Sequence, residues 1–422
     1  MSGLRGAVRR AIGGGQPSAS SEPDPFAGFR DPAGPVLVSG PAPRHDTSLD
    51  DDPRVVVLLP HLDVDKMSGG PNTVFQLTAR LAGEGLRLRY VATSGAMRPD
   101  ARALAAHIRG VTGVELPGDV ASFAEASRRR DTLDLGRHDV LVASWWPTAH
   151  LANAALACVD AREFLYVVQD YEPGFYPWST KAALAEATYG MPMRPVVNEP
   201  FLATFLEERR VGRFEDDGTP RRTFLPAVDR EIFRPRPEAR AASDGRRLVF
   251  YARPKNPRNL FEIGLRALRA AVDQGVFDDG PWSFQAIGQE LPDLPLAEGR
   301  VLRSTPWMSY EAYGELLGSS DVLLSLMHSP HTSYPPLEMA AAGGQVVTTT
   351  FGPKTAAALA SLSAAIHGAA PEVPSLVAAL RAAVSASAPA VPALSVPATW
   401  DDALREVMPW MASQIRELRG EA

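Results

Sequence analysis

Residues 329–351 read SPHTSYPPLEMAAAGGQVVTTTF and join a polar, proline-containing loop to a run of small residues and an apolar segment. Pro335 suits the first turn of a helix, because a residue there needs no backbone N–H for an intrahelical bond. Gly343 and Gly344 suit the end of that helix. The segment QVVTTTF (345–351) has the length and composition of a buried strand. Loop, helix, turn and strand in this order predict one repeat of an α/β sheet.

The same alternation extends through the second half of the chain. Apolar runs of strand length occur at RLVFYAR (247–253), WSFQAIG (282–288) and DVLLSLM (321–327). Between the first two, apolar and small residues from Leu260 to Ala271 recur at helical spacing. Strands of a parallel sheet are covered on both faces and therefore have nearly continuous apolar sequences. These runs predict a doubly wound α/β domain.

A similar series begins in the first half at RVVVLLP (54–60). A glycine-containing loop and an amphipathic helix follow it, and the helix is predicted to stop at Gly83 and Gly85. Three further apolar runs are predicted as strands: 87–93, 139–145 and 163–169. The first half therefore predicts a second doubly wound domain.

The length of 422 residues also exceeds the usual size of one domain. We divide the chain into a disordered or irregular segment at 1–53, a first Rossmann-like domain at 54–228 and a second at 229–398. The amphipathic, aromatic segment 399–422 is expected to form a helix that is able to cross back onto the first domain.

The composition limits the classes of function and the compartments that are expected for this protein. The formal net charge of -6 argues against nucleic-acid binding, which needs a basic face. Cys158 is the single cysteine, so the chain cannot form an intramolecular disulfide, and a reducing, cytoplasmic compartment is expected. No apolar run is long enough to span a bilayer. The basic start, MSGLRGAVRR, is a solvated tail or a surface anchor, which leaves peripheral association with the inner membrane open.

Four segments resemble those of GT-B glycosyltransferases of the family 4-like, retaining-type superfamily. They are PAVDREIFRPRP (226–237), YARPKNPRN (251–259), the stretch 307–350 and YVVQDYEPGFYP (166–177). The second and fourth are closest to the rhamnan-synthesis rhamnosyltransferases, which use dTDP-rhamnose.

The resemblance implies a GT-B fold, in which two Rossmann-like domains face each other across a cleft. It also implies transfer of a deoxyhexose, in the first place rhamnose from dTDP-rhamnose, onto a cell-surface polysaccharide or glycolipid acceptor. The nucleotide sugar is then a co-substrate, and no further cofactor is expected. Two alternatives stay open: a UDP- or GDP-hexose donor on the same fold, and a non-catalytic scaffold that binds nucleotides or sugars.

Glycosyl transfer from a nucleotide sugar leaves negative charge on the departing diphosphate, which a metal ion or cationic side chains can stabilise. Asp63-Val64-Asp65 has the spacing of a metal-binding pair but is interpreted as a solvated loop, so no metal site is predicted. The donor diphosphate and nucleotide are instead assigned to residues of the second domain, three of them (Arg253, Arg258 and Glu338) by the resemblance and the others by their charge or their position before a helix. These are Arg253, Lys255, Arg258, Ser333, Tyr334 and Glu338, the last in the first turn of its helix.

The first domain is expected to supply the catalytic group and the acceptor side. Asp170 follows a buried strand and, if the transfer inverts the anomeric centre, is predicted to take the proton of the acceptor hydroxyl, with Glu172 as the other carboxylate nearby. Whether the transfer retains or inverts that centre stays open. Gln169 stands where many relatives have histidine, and Pro330 stands where the family has its first glutamate. The remaining cleft candidates are Gly69, Gly70, Asn72, Gln169, Glu172 and His331.

Overall fold

The protein is described by a computed structural model that covers residues 40–421, apart from residues 68, 129 and 387–392. The strands, numbered along the chain, are β1 (Ala42–His45), β2 (Arg54–Leu59), β3 (Leu62–Asp63), β4 (Arg87–Ala92), β5 (Met97–Arg98), β6 (Ala121–Glu125), β7 (Thr132–Leu135), β8 (Val140–Ala143), β9 (Phe164–Val168), β10 (Met193–Asn198), β11 (Arg222–Phe224), β12 (Arg246–Tyr251), β13 (Trp282–Ile287), β14 (Leu294–Pro295), β15 (Val301–Ser304), β16 (Val322–Leu324), β17 (Gln345–Thr349) and β18 (Ile366–Ala369).

The α-helices are α1 (Gly69–Thr78), α2 (Ala101–Thr112), α3 (Trp146–Ala155), α4 (Thr180–Ala187), α5 (Pro200–Glu208), α6 (Pro237–Ala241), α7 (Phe261–Asp273), α8 (Tyr310–Gly318), α9 (Tyr334–Ala341), α10 (Ala356–Leu362), α11 (Val373–Ser385), α12 (Trp400–Leu404) and α13 (Val407–Leu418). Helices alternate with strands through both halves, as the sequence predicts.

Two large sheets organise these elements. The first has seven parallel strands in the order β11-β10-β9-β8-β2-β4-β6. The second has the order β14-β15-β13-β12-β16-β17-β18, in which only β14 is antiparallel. In each sheet the earliest strand, β2 or β12, is central, and the chain then builds outward on both sides of it. Ligands of such sheets bind at the carboxyl ends of the strands, beside the point where the order reverses.

The carboxyl edges of the two sheets face each other. Hydrogen bonds and one ion pair join residues at or beyond the carboxyl ends of strands in different sheets: Ser329 to Asp170, Arg258 to Asp170, Tyr334 to Thr73 and Asn198, and Thr332 to Glu199. The region where ligands of each sheet would bind is therefore shared by both halves.

The terminal helix α13 packs in the core of the first sheet, although it follows the second sheet in the chain. Its residues Met411 and Ile415 are fully buried in the hydrophobic cluster that contains Val55 and Val57. At the sheet edge, the Arg194 guanidinium donates to the Gln414 side chain at 2.7 Å. The end of the chain thus fastens the two halves together.

The structure confirms the α/β class and the pair of Rossmann-like sheets. The prediction that residues 1–53 are irregular is wrong for residues 42–45, which form β1 and pair with β7. The four residues APRH alternate between exposed and half-buried positions, so their sequence has no strong strand pattern. Pairing with a distant strand stabilises them as β1. Residues 1–39 of that segment lie outside the described residues.

Candidate active site

A cationic cavity lies at the carboxyl ends of β12 and β13. It has a volume of about 340 Å³ and is lined by Arg253, Lys255, Asn256, Gly288 and Gln289. Gly288 has φ +94°, and a Cβ atom there would lie 3.0 Å from Arg253 Cγ, so glycine leaves room for the arginine side chain. No ion pair within 4.0 Å joins Arg253 or Lys255 to a carboxylate in the described part of the chain. Two positive charges are therefore available to an anion in this cavity.

Arg258 points away from that cavity and towards the first sheet. Its guanidinium lies 4.0 Å from the centre of the Phe175 ring, and its Nε atom lies 3.6 Å from Asp170 Oδ2. Burial lowers the pKa of Arg258, while the charge of Asp170 favours its protonated form. The three cationic side chains predicted for the diphosphate thus lie in two places. Arg253 and Lys255 line the cavity, whereas Arg258 spans the interface.

Asp170 lies at the interface of the two halves, directly after β9. Its Oδ1 atom accepts a hydrogen bond from the Tyr171 N–H at 2.8 Å and another from the Ser329 hydroxyl. The residue is 6% exposed. A carboxylate held in this way is fixed in orientation, which suits a group that must take a proton from one direction.

Glu172 is a second carboxyl group, but it belongs to the interior of the first half. Its Oε2 atom accepts from the Trp146 N–H at 2.6 Å and from the Tyr166 hydroxyl at 2.8 Å. Burial raises the pKa of Glu172 to about 8. The Trp146 amide is the first of α3, so Glu172 caps that helix. Of the two carboxyl groups, Asp170 is the one that contacts the second half.

The raised pKa of Glu172 predicts a pH-dependent stability that Glu172→Gln removes. The folded protein binds the proton more tightly than the unfolded chain, whose carboxyl has its usual pKa of 4.5. Unfolding free energy therefore falls as pH rises from about 4.5 to about 8. We expect equal melting temperatures for the variant and the wild type at about pH 4, and a higher melting temperature for the variant at about pH 8. A variant that is less stable by the same amount at both pH values would contradict this.

The loop at 329–333 is fastened at almost every residue. The Thr332 hydroxyl donates to Glu199 Oε2 at 2.9 Å, and the Ser333 N–H donates to His331 Nδ1 at 2.8 Å. The Lys354 ammonium, fully buried, donates to the carbonyl oxygen of His331 at 3.1 Å. Ser333 has φ +73°, a strained value for a residue with a side chain, and these bonds offset that strain.

Tyr334 is directed to the first sheet rather than to the cationic cavity. The Asn198 side-chain amide donates to its hydroxyl at 3.2 Å, and the Tyr334 and Thr73 hydroxyls are 2.6 Å apart. Because the Thr73 hydroxyl already donates to the Gly69 carbonyl oxygen, the proton between the two hydroxyls comes from Tyr334. The side chain of Tyr334 therefore joins the halves, whereas the sequence analysis assigned the residue to the nucleotide.

Glu338 lies in the second turn of α9, so its prediction in the first turn is wrong. The helix begins at Tyr334, one residue before Pro335, and this shifts every position within it. The Tyr313 hydroxyl donates to Glu338 Oε2 at 3.0 Å, and the Tyr310 hydroxyl lies 3.5 Å from Oε1. Burial raises the pKa of Glu338 to about 7. Tyr310 itself is half-exposed.

The remaining cleft candidates lie at the first sheet. Gly69 and Gly70 begin α1; a Cβ atom on Gly69 would lie 3.4 Å from the Tyr334 ring, and one on Gly70 would lie 3.5 Å from Gln169 Oε1. The Asn72 side-chain oxygen lies 3.0 Å from His107 Nε2. The two glycines and Gln169 are thus close to the interface, while Asn72 faces α2.

Sequence reasoning missed several polar residues of the interface, notably Glu199, Ser329 and Lys354. Glu199 and Lys354 each follow a strand of a parallel sheet within five residues, which is the signal that could have identified them. Burial raises the pKa of Glu199 to about 7 and lowers that of Lys354 to about 8, and each favours the charge of the other.

No group of three or more His, Cys, Asp or Glu side chains is placed to hold a metal ion within the described ranges. Asp63 ends β3, and its carboxylate accepts from the Asp65 N–H at 3.3 Å. Asp63 is buried, so it is not a fully solvated loop residue as the sequence predicted. Among the described residues, no helix has the length and the apolar character needed to cross a membrane.

Part of this chain is similar in sequence to a known bacterial protein. A region of 237 residues is 35% identical to the O-antigen biosynthesis protein RfbC of Myxococcus xanthus; it covers 55% of this chain and 17% of RfbC. The chain therefore matches only about a sixth of the length of that relative.

Solved structures share the fold at low sequence identity. A sucrose-phosphate synthase from Thermosynechococcus elongatus has a TM-score of 0.54 at 13% identity, covering 87% of this chain and 94% of its own. HepE of Anabaena, solved in complex with UDP-glucose, has a TM-score of 0.53 at 11% identity, covering 87% and 99%.

Each half of the chain matches one domain of a known family, and the two matches follow the order of the chain. The description "WsaF, N-terminal domain" matches residues 54–198, and "WsaF, C-terminal domain" matches residues 246–381. These matches include the central strands of both sheets. The chain therefore belongs to the family of the WsaF domains and has the GT-B glycosyltransferase fold.

Proposed function

We propose that this protein is a glycosyltransferase that moves a deoxyhexose, rhamnose from dTDP-rhamnose, onto a glycan or glycolipid acceptor in the synthesis of a cell-surface polysaccharide. One observation carries the proposal: the unpaired charges of Arg253 and Lys255 line a cavity at the carboxyl ends of β12 and β13 in the second sheet, and Asp170 lies at the interface on the first. The arrangement supplies an anion site and a proton acceptor at the junction of two sheets.

In the proposed reaction, the acceptor hydroxyl oxygen attacks the anomeric carbon of the donor sugar. The bond from that carbon to the diphosphate oxygen breaks, and its electron pair leaves with the nucleotide. Arg253 and Lys255 stabilise the charge that collects on the diphosphate. Asp170 takes the proton of the acceptor hydroxyl, as an inverting displacement requires. In this scheme Glu338 accepts a hydrogen bond from a hydroxyl group of the pentose of the nucleotide, beside Tyr310.

The polysaccharide pathway is proposed from the relatives. RfbC is named as an O-antigen biosynthesis protein. The region that it shares with this chain is only a part of each of the two proteins. A cytoplasmic location with peripheral contact to the inner membrane is proposed with it. The single cysteine, Cys158, is free, which suits a reducing compartment.

A UDP- or GDP-hexose is the second candidate donor. The observation in its favour is the fold shared with HepE, whose structure contains UDP-glucose. The two candidates differ in the nucleobase and in the sugar, and both require the same diphosphate site at Arg253.

Thermal-shift titration with dTDP, UDP and GDP, followed by transfer assays with the matching nucleotide sugars, tests the proposal. We expect the largest stabilisation from dTDP and the fastest nucleotide release with dTDP-rhamnose and a glycan acceptor. Preference for UDP or GDP in both assays would favour the second candidate. Tight nucleotide binding without sugar transfer to any acceptor would contradict the enzymatic function and favour a scaffold.

A further inference from the structure

We infer that the imidazole Nε2–H of His331 donates a hydrogen bond to a hydroxyl group of the sugar that is transferred. This assigns a sugar-binding residue at the interface, and it rests on the proposed function. The assignment follows from the tautomer of the ring, from its buried and unpaired nitrogen, and from the polar groups around it.

The tautomer is fixed by a neighbouring amide. The Ser333 N–H donates to His331 Nδ1 at 2.8 Å, so Nδ1 carries a lone pair and the neutral ring carries its proton on Nε2. Burial lowers the pKa of His331 to about 4, and the positive charges of Lys354 and Arg258 lower it further against the opposing effect of Asp170. At neutral pH the ring is therefore an uncharged hydrogen-bond donor.

That donor has no partner. His331 is 6% exposed, and its Nε2 atom is buried without a hydrogen bond to any described residue. A buried donor that is left unpaired destabilises the folded protein, so an unpaired donor needs an explanation. The rest of the residue is fully bonded: its N–H donates to the Ser329 hydroxyl at 3.1 Å, and its carbonyl accepts from Lys354 at 3.1 Å. The ring is thus held firmly while one atom is left free.

The free donor lies beside the proposed catalytic group. The Ser329 hydroxyl, which accepts from the His331 N–H, itself donates to Asp170. The His331 ring also lies 6.2 Å from the Tyr334 ring, between centres. A ligand group that reaches Nε2 would therefore lie where the two sheets meet, close to the atom that takes the acceptor proton.

An unpaired acceptor accompanies the donor. Asn198 is 1% exposed, and its Oδ1 atom has no partner among the described residues, while its Nδ2 donates to the Tyr334 hydroxyl. The unpaired donor, His331 Nε2, and the unpaired acceptor, Asn198 Oδ1, thus belong to two residues that both contact Tyr334. Hydroxyl groups both donate and accept, whereas the oxygens of a diphosphate only accept. The chemistry of the pair fits a sugar better than it fits the diphosphate.

Two substitutions separate ligand binding from loop structure. His331→Asn places its side-chain oxygen near the position of Nδ1 and keeps the acceptor for Ser333, but it lacks a donor at the position of Nε2. His331→Gln does the reverse, because its longer side chain places an N–H near Nε2. The probes are dTDP-rhamnose, which has the sugar, and dTDP, which lacks it, with dissociation constants measured by calorimetry.

We expect His331→Asn to bind dTDP-rhamnose about tenfold more weakly than the wild type and to bind dTDP unchanged, because one buried hydrogen bond to the sugar is lost. His331→Gln should retain most of the affinity for dTDP-rhamnose. Equal losses in both variants, a loss in His331→Gln alone, or no loss in either would assign the ring to loop structure and overturn the inference. If the wild-type protein bound neither dTDP-rhamnose nor dTDP, that result would contradict the proposed donor rather than the role of His331. Unchanged dTDP binding in a variant shows that it is folded.

Discussion

Asp170→Asn is expected to slow sugar transfer by about 10³-fold, the size of effect typical of a lost general base. Asparagine has nearly the same shape, and its side-chain oxygen can still accept from the Ser329 hydroxyl and from the Tyr171 N–H. An amide cannot take the proton of the acceptor hydroxyl, so the chemical step should suffer while the site remains assembled. Transfer is measured as nucleotide release with saturating donor and acceptor, and nucleotide binding is measured separately.

Glu172→Gln is the matched control for this substitution, since it changes a carboxyl group to an amide two positions away. Glu172 is bonded to Trp146 and Tyr166 within the first half, so we expect transfer within a few-fold of wild type. The account would be contradicted by an Asp170→Asn variant with wild-type transfer, or by a Glu172→Gln variant with the larger loss.

The proposed role of Asp170 as the base also requires that the halves separate during the reaction cycle. Asp170 is 6% exposed, and both Ser329 and Arg258 of the second half lie against its carboxylate. An acceptor hydroxyl reaches the carboxylate only when these contacts are loosened. Domain opening and closing are therefore part of the proposed mechanism, as is common where two domains assemble a site.

Arg253→Ala is expected to weaken dTDP binding by roughly 10- to 100-fold. Hydrogen bonds between charged groups contribute about 1.5–3 kcal/mol each, and each 1.4 kcal/mol changes the affinity about tenfold. The substitution should cost little stability, because the nearest polar partner of the guanidinium is the Tyr251 hydroxyl at 3.4 Å. Calorimetric titration of wild-type and variant protein with dTDP measures the effect.

Arg381→Ala is the control for the loss of one positive charge from the second half. Arg381 is exposed on α11 and donates to the Gln274 carbonyl oxygen at 3.3 Å, outside the residues that line the cavity. Its dTDP affinity should match that of the wild type. If both variants bound dTDP equally well, Arg253 would have no place in the diphosphate site.

Much of the fold follows from local sequence pattern. The central strands β2 and β12 are apolar runs buried on both faces of a sheet, and such runs have few other stable environments. Pro335 and Gly343 mark the ends of α9 within one or two residues, because their backbone preferences act locally. The short strand β1 could not be predicted, since its pairing with β7 depends on residues 90 positions away.

The site was predictable in position but not in side-chain direction. Asp170 and Arg253 follow strands, and the carboxyl ends of parallel strands share one edge, so their placement follows from topology. Nothing local directs Tyr334 to Asn198 or Arg258 to Asp170, because those partners come from the other sheet. Contacts of this kind depend on how the two halves meet.

The central claim is that cationic side chains, rather than a divalent metal ion, stabilise the departing nucleotide. The most direct measurement is the initial rate of sugar transfer by metal-stripped protein with excess EDTA, compared with excess magnesium or manganese. The charges of Arg253 and Lys255 in the cavity predict equal rates in all three conditions. A rate that EDTA abolishes and either metal restores would contradict the account.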